Sequence, residues 1–264
     1  MTSLRAVAVQ VARDAAALAA GVRADAVSRE VDTKSSETDV VTAGDRAVER
    51  LVRDRLAELR PGEPVLGEEE GGEGVLDGLR WVVDPIDGTV NYLYGHPFYA
   101  VSLAAQVDGH SVAGAVVEPV SGRVWSAAEG HGATLDGTPL QVNTTTRLEV
   151  SLIGTGFAYR VERRREQAAV LARLLGDVRD VRRAGAGSLD LCAVAAGWLD
   201  AYYESGLSRW DWAAGALVAA EAGAVVRLPG SDGDGLGTDT TLCASPGIAE
   251  SLRAALVEYG AATM

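Results

Sequence analysis

The segment that most constrains this chain is the place where an apolar strand runs straight into acid. Trp81-Val82-Val83 passes without interruption into Asp84-Pro85-Ile86-Asp87-Gly88-Thr89. A run of bulky β-forming residues closed by proline and Asp-Gly reads as a strand that ends in a turn. Such a strand carries two carboxylates to the rim of a core, where buried charge needs a compensating partner. Asp84 and Asp87, with the Ile86 carbonyl between them, can converge on one hard cation. Mg²⁺ fits, because it takes oxygen ligands octahedrally and keeps several waters. If a helix opens after Gly88, the amides of Gly88 and Thr89 face the same point, and free N–H groups at a helix start receive phosphate. Asp-Pro and Asp-Gly are also ordinary turn formers, so this island alone leaves both readings open.

Two further acidic islands shift the balance. Gly67-Glu68-Glu69-Glu70 follows a short strand at 64–66, and Trp210-Asp211 opens a helix expected over 211–222. Glu70 reads as a solvated turn residue. Lys and Arg number 24 against 37 Asp and Glu, a formal net charge of −13. A surface this acidic repels nucleic acid and anionic membrane, so neither is expected as a partner. An anionic substrate would then need bound divalent cations to receive it. Cys192 and Cys243 are the only cysteines and lie in no CxxC or Cys/His cluster, which leaves no zinc or redox motif. No apolar run is long enough for a bilayer and no leader pattern opens the chain, so a soluble cytoplasmic protein is expected.

Periodicity lays out the frame. Leu4, Val7, Ala8, Val11, Leu18, Ala19 and Val22 follow helical spacing over 3–24. Residues 28–44 read as a loop or short hairpin, and Thr42 to Asp45 as a capping-box start for a helix ending near Arg60-Pro61-Gly62. Strand character follows at 64–66, 80–83, 98–107, 111–118 and 123–127, with Asp108-Gly109 and Ser121-Gly122 as turns. The first lobe, about 1–142, is therefore two helices on a largely antiparallel sheet. The second, about 143–264, alternates strands at 150–157, 178–183, 199–204, 224–228 and 240–244 with helices at 162–175, 188–197, 211–222 and 247–258. That alternation predicts a layered α/β lobe.

The ordered motifs resemble the inositol monophosphatase family. The matching text is Gly67-Glu68-Glu69, Trp81 through Tyr92, Asp200-Ala201-Tyr202-Tyr203-Glu204 and Trp210-Asp211-Trp212-Ala213-Ala214-Gly215. Lys34-Ser35-Ser36 and Asp39 through Asp45 fit the family's N-terminal segment. The resemblance covers about residues 5–258. It implies an αβαβα layered sandwich of mixed α/β (α+β) class, a homodimer, and Mg²⁺-dependent, Li⁺-sensitive hydrolysis of a small phosphorylated polyol. It also implies roles. Glu68, Asp84 and the Ile86 carbonyl would hold a first metal, Asp84, Asp87 and Asp211 a second, and Glu68 with Glu69 a weaker third. Asp45 and Thr89 would activate the attacking water, with Glu68 counted among the catalytic groups. The Gly88 and Thr89 amides would hold the phosphate. Asp87, Gly185, Ala186, Glu204 and Asp211 would face the substrate, and Lys34 would lie on a loop beside it.

The physical account runs parallel. Uncatalysed phosphate-monoester hydrolysis is extremely slow, so the site must supply large electrostatic stabilisation. Metals on clustered carboxylates turn an acidic protein into a locally cationic pocket. Haloacid-dehalogenase phosphatases place two aspartates two apart, whereas Asp84 and Asp87 are three apart, so a covalent aspartyl phosphate is not expected. Arg163-Arg164-Arg165, flanked by Glu162 and Glu166, reads as a solvated helix face. His96, His110 and His131 show no ligand spacing. Ala186-Gly187 stands where the family pattern has a hydroxyl residue followed by Ala, which leaves the substrate open between inositol 1-phosphate, histidinol phosphate and a fructose-1,6-bisphosphate-like sugar phosphate. A role mainly as a protein partner in transcription or ribosome maturation is the alternative of a different class.

Overall fold

A computed structural model describes residues 3–29, 31–33, 40–72, 77–231 and 233–263. In chain order the elements are α1 (Leu4–Arg29), β1 (Val31–Thr33), β2 (Val40–Thr42), α2 (Ala43–Leu59), β3 (Val65–Gly67), β4 (Leu79–Asp87) and α3 (Thr89–Tyr94). Then come β5 (Ala100–Val107), β6 (His110–Val117), β7 (Val124–Ala128), β8 (Ala133–Leu135) and β9 (Thr138–Pro139). The second half contains β10 (Leu152–Thr155), α4 (Val161–Leu174), β11 (Asp180–Arg182), α5 (Gly187–Ala195) and β12 (Ala201–Ser205). It closes with α6 (Arg209–Glu221), β13 (Val225–Arg227), β14 (Thr240–Ala244) and α7 (Ala249–Tyr259).

Five layers result. α1 and α2 cover one face of a seven-stranded sheet ordered β3-β4-β5-β6-β7-β8-β9. Only β3 pairs parallel, with β4, and the other ladders are antiparallel. α5 and α6 fill the middle layer, between that sheet and a mixed five-stranded sheet ordered β11-β10-β12-β14-β13. α4 and α7 pack together on the outer side. This is the expected αβαβα sandwich. Three apolar clusters hold the layers together, the central one on both faces of the middle helices. Val7, Ala8, Val11, Ala12 and Ala15, spaced as one helical stripe, pack with Val48 and Val52 against Trp81 and Val101. The central cluster joins Val82, Ala104 and Trp125 of the first half to Leu189, Tyr202 and Trp212 of the second.

The differences from expectation have local causes. α1 runs past residue 24 to Arg29 because Ala26 is buried and Val27 packs beside it, which carries the apolar stripe a further turn. The 28–44 segment contains a two-stranded antiparallel hairpin, Val31↔Thr42 to Thr33↔Val40. β8 and β9 went unread because strands of three and two residues between glycines leave no periodicity to detect. The capping box at Thr42 and Asp45 forms as expected.

Candidate active site

The site is assembled where β4 breaks its own regularity. Asp84 pairs across to Ser102 and Asp87 to Ala100, so three steps along β4 match two along β5. A strand alternates faces at every residue, so side chains three apart would ordinarily point to opposite sides. The extra residue at Pro85-Ile86 resets that parity, as a β-bulge does, and both carboxylates reach one cleft. Pro85 has no N–H to leave unpaired there. The Ile86 N–H turns back to Asp84 Oδ1 at 3.1 Å, and the Ile86 side chain drops into the core beneath α1 and α2. Gly88 takes φ +91°, and a Cβ there would press on Gly185 O, the Ala186 Cβ and Phe98 O at 3.1–3.2 Å. α3 then begins at Thr89, as the sequence reading required.

The cleft has a volume of about 410 Å³. Glu68, Asp84, Ile86, Asp87, Gly88, Thr89, Gly185, Glu204 and Asp211 all line it. Asp45, Glu69 and Ala186 lie outside its lining. Asp45 sits one step behind: its Oδ1 accepts from Thr89 Oγ1 at 3.3 Å, while Oδ2 accepts from the Thr42 amide and hydroxyl at 2.8 and 2.6 Å. Thr89 Oγ1 also lies 3.1 Å from the Ile86 carbonyl. Ala186 is buried with its methyl under Gly88. Lys34 falls outside the described residues.

Each acidic residue is held by something the sequence showed only in part. Asp211 is the third residue of α6, and its Oδ2 accepts from the capping Ser208 N–H at 2.6 Å. Asp45 plays the same part in α2. Asp87 is gripped by the first turn of α5, through the Gly187 N–H at 3.2 Å, the Ser188 N–H at 2.7 Å and the Ser188 hydroxyl. The Glu68 turn is fixed by Glu49, a fully buried carboxylate that accepts from the amides of Glu69 and Glu70 at 2.8 and 3.1 Å. Arg53 pairs with Glu49 at 2.7 Å and donates to Gly71 O at 2.6 Å. A Cβ at Gly67 would lie 2.1 Å from Glu49 Oε1, so the turn needs glycine for space. Glu49, Arg53 and Ser188 were missed. A charged pair four apart, each member one residue after the buried Val48 and Val52, was the available signal for the first two. Glu70, as expected, has an exposed side chain, and its carboxylate pairs with Arg53 at 3.3 Å.

The second half supplies the far end of the cleft. Glu204 accepts from the Tyr202 hydroxyl and occupies space that a Cβ at Gly156 would invade, 1.8 Å from Oε2. Arg160, Arg163 and Arg183 also line the cleft. The solvated-face reading of 163–165 is therefore corrected at Arg163, which pairs with Asp239, and at Arg164, which donates to Ala158 O and Tyr159 O. A helix places consecutive residues on different faces, so a basic triplet does not share one environment.

Electrostatically the cleft is a concentration of buried negative charge. Burial first, then Glu68, Asp87 and Asp211, push the Asp84 carboxyl well above its ordinary range. Asp211 is raised in the same direction by burial, Asp87 and Glu68, against the Ser208 N–H. Burial lifts Asp87 to about 6 although Ser188 and Gly187 donate to it. Glu204 is lifted to about 7 by burial, opposed by Tyr202, Arg183 and Arg163. All-oxygen, mutually repelling carboxylates suit a hard divalent cation. Among the described residues no three acidic or imidazole side chains enclose one point.

Comparisons with known proteins agree with this geometry. The Mycobacterium leprae protein named inositol-1-monophosphatase is 54% identical, over 97% of this chain and 94% of its own length. Solved Mycobacterium tuberculosis SuhB matches with a TM-score of 0.84 at 47% identity, covering 98% of this chain and 97% of that one. The Pseudomonas aeruginosa protein named Nus factor SuhB is 41% identical, over 77% of this chain and 76% of its own. Fold and cleft together define a phosphomonoesterase. The chain belongs to the inositol monophosphatase family, whose sequence pattern it matches over residues 1–261.

Proposed function

We propose that this protein is a Mg²⁺-dependent, Li⁺-sensitive phosphatase of inositol 1-phosphate that releases inositol and phosphate by direct attack of water. The observation that carries the reading is the bulge in β4, which turns Asp84 and Asp87 into the cleft that Glu68 and Asp211 also line. In this reading Glu68, Asp84, Asp87, Asp211 and the Ile86 carbonyl hold two cations, and Glu69 helps with a weaker third. When bound, the cations supply Lewis-acid stabilisation of the phosphoryl and leaving oxygens and make water more acidic.

The chain's own residues do the rest. The Gly88 and Thr89 amides receive the phosphate oxygens. Thr89 Oγ1 donates to Asp45 Oδ1, 3.3 Å away, which leaves its lone pair to accept from the attacking water and orient it. Glu204 accepts from ring hydroxyls, and the Gly185-Ala186 backbone borders them. Lys34 belongs to the proposal as a cation on the neighbouring loop. A cytoplasmic homodimer completes it.

Phosphate release at saturating Mg²⁺ tests the substrate across inositol 1-phosphate, histidinol phosphate, fructose 1,6-bisphosphate and 3′-phosphoadenosine 5′-phosphate. Inositol 1-phosphate is expected to give the highest kcat/KM, and a different leading ester replaces the substrate name. The likeness to the Nus factor SuhB of P. aeruginosa favours a second reading, a protein-partner role. Capture of transcription factors by this protein, together with no turnover of any ester, would favour that role over catalysis.

A further inference from the structure

We propose that Glu49 and Arg53 of α2 are positioning residues that set the affinity of the cleft for divalent cations, by holding the turn that carries Glu68. This inference rests on the metal-dependent phosphatase reading of the same cleft. It places control of the metal in a helix none of whose residues lines that cleft. Asp45, Glu49 and Arg53 stand four apart and so share one face of α2. Asp45 stands behind Thr89 on one side of the cleft, and Glu49 with Arg53 stands behind the Glu68 turn.

A buried ion pair is costly to desolvate, and apolar residues of similar size would serve packing as well. Glu49 and Arg53 instead direct their polar atoms at one five-residue turn, Gly67-Glu68-Glu69-Glu70-Gly71. The Gly67 N–H closes it by donating to Gly71 O at 3.0 Å. Glu49 Oε2 accepts from the Glu69 N–H and Oε1 from the Glu70 N–H, the two amides that follow Glu68. Arg53 donates to Glu49 Oε1 through Nε and Nη2, at 3.0 and 2.7 Å. It also donates to Val65 O ahead of the turn at 3.1 Å and to Gly71 O at its end at 2.6 Å. The turn is therefore tied to α2 at both ends and in the middle. Three consecutive carboxylates repel one another, and an untied turn would spread them. Held in this way, the turn presents Glu68 to the cleft before a cation arrives, so binding costs less ordering entropy. Groups that orient a metal ligand change affinity by about 10- to 100-fold when lost.

The test is Mg²⁺ binding by calorimetry, which does not depend on turnover, in the wild type, Glu49→Gln, Glu68→Gln and the double variant. Glutamine keeps the size of Glu49 but turns an NH₂ donor toward N–H groups that need an acceptor. Glu49→Gln is expected to weaken Mg²⁺ binding by about tenfold or more. In the Glu68→Gln background the same change should have little effect, because the turn has then lost the ligand it places. Arg53→Lys keeps a positive charge beside Glu49 but cannot span Glu49, Val65 O and Gly71 O at once. It should weaken binding in the same direction, again only where Glu68 is present. It carries the test if thermal unfolding in EDTA shows that Glu49→Gln does not fold. An unchanged affinity in a folded variant, or an equal loss with and without Glu68, makes the pair a brace of the fold alone. Either result overturns the proposal and leaves the phosphatase reading intact. A wild type that binds no Mg²⁺ overturns both.

Discussion

Asp45 and Asp211 do the same backbone work in different helices, each closing a capping box from the third helical position; Asp211 also lines the cleft, and Asp45 stands behind Thr89. The two tasks do not compete, because a carboxylate has more lone pairs than one amide uses. Thr89 separates them experimentally. Thr89→Val removes the hydroxyl between the Asp45 carboxylate and the cleft and should lower kcat by roughly 10²-fold or more, with KM little changed. Steady-state kinetics checks this, and an unaltered kcat would remove Thr89 from the chemistry. Gly156→Ala drives a methyl into Glu204 and should destabilise the fold by about 1–3 kcal/mol while raising KM. Denaturant unfolding and KM read the two effects. At this scale the acids at strand and helix ends were legible, because Asp-Pro, Asp-Gly and Glu runs mark themselves locally. Glu49, Ser188 and Gly156 were not, because their roles depend on residues far along the chain, as when Ser188 meets Asp87.

At the level of elements, the bulge in β4 and the start of α6 decide where charge is presented. Ser208 caps α6 and fixes Asp211, so Ser208→Ala should cost about 1 kcal/mol, the usual value of a lost N-cap. The Mg²⁺ concentration needed for half-maximal activity should stay nearly unchanged, because the bond that orients Asp211 comes from the Ser208 backbone N–H, which alanine keeps. A Mg²⁺ titration of activity beside an unfolding curve reads both effects, and a large rise in half-saturation would show that the Ser208 hydroxyl, not its amide, orients Asp211. Long helices and the longer strands of the first sheet, β5 to β7, could be read from sequence pattern alone. The bulge could not, since Pro85-Ile86 reads equally as the end of a strand, and only pairing with β5 shows that the strand continues to Asp87.

Across the whole molecule, one central apolar cluster joins residues of both halves, and the carboxylate cleft is bordered by both. Stability and metal binding are therefore linked. Folded-state values of about 6 for Asp87 and about 7 for Glu204 exceed those of free carboxylates. The folded chain then holds more protons than the unfolded one between about pH 4 and about pH 7. These groups favour folding at the acidic end of that window, and their contribution is lost as pH rises through it. Added Mg²⁺ relieves the repulsion, so the rise in Tm that it produces should grow with pH across the same range. Thermal unfolding in EDTA and in Mg²⁺ measures it, and an increment that shrinks with pH would contradict the assignment. At a hundred times Kd a single bound ion stabilises by about 2.7 kcal/mol. The layered architecture was legible because each layer keeps its own period. The presence of Arg160, Arg163 and Arg183 in the lining of the same cleft was not, because the sequence does not show which segments border it. The most direct test of the central claim is phosphate release from inositol 1-phosphate by exhaustively chelated protein as Mg²⁺ is titrated back. The account predicts no turnover without metal, recovery on titration, and no recovery in Asp84→Asn. Full activity in the chelated protein, or a normal rate in Asp84→Asn, would contradict it.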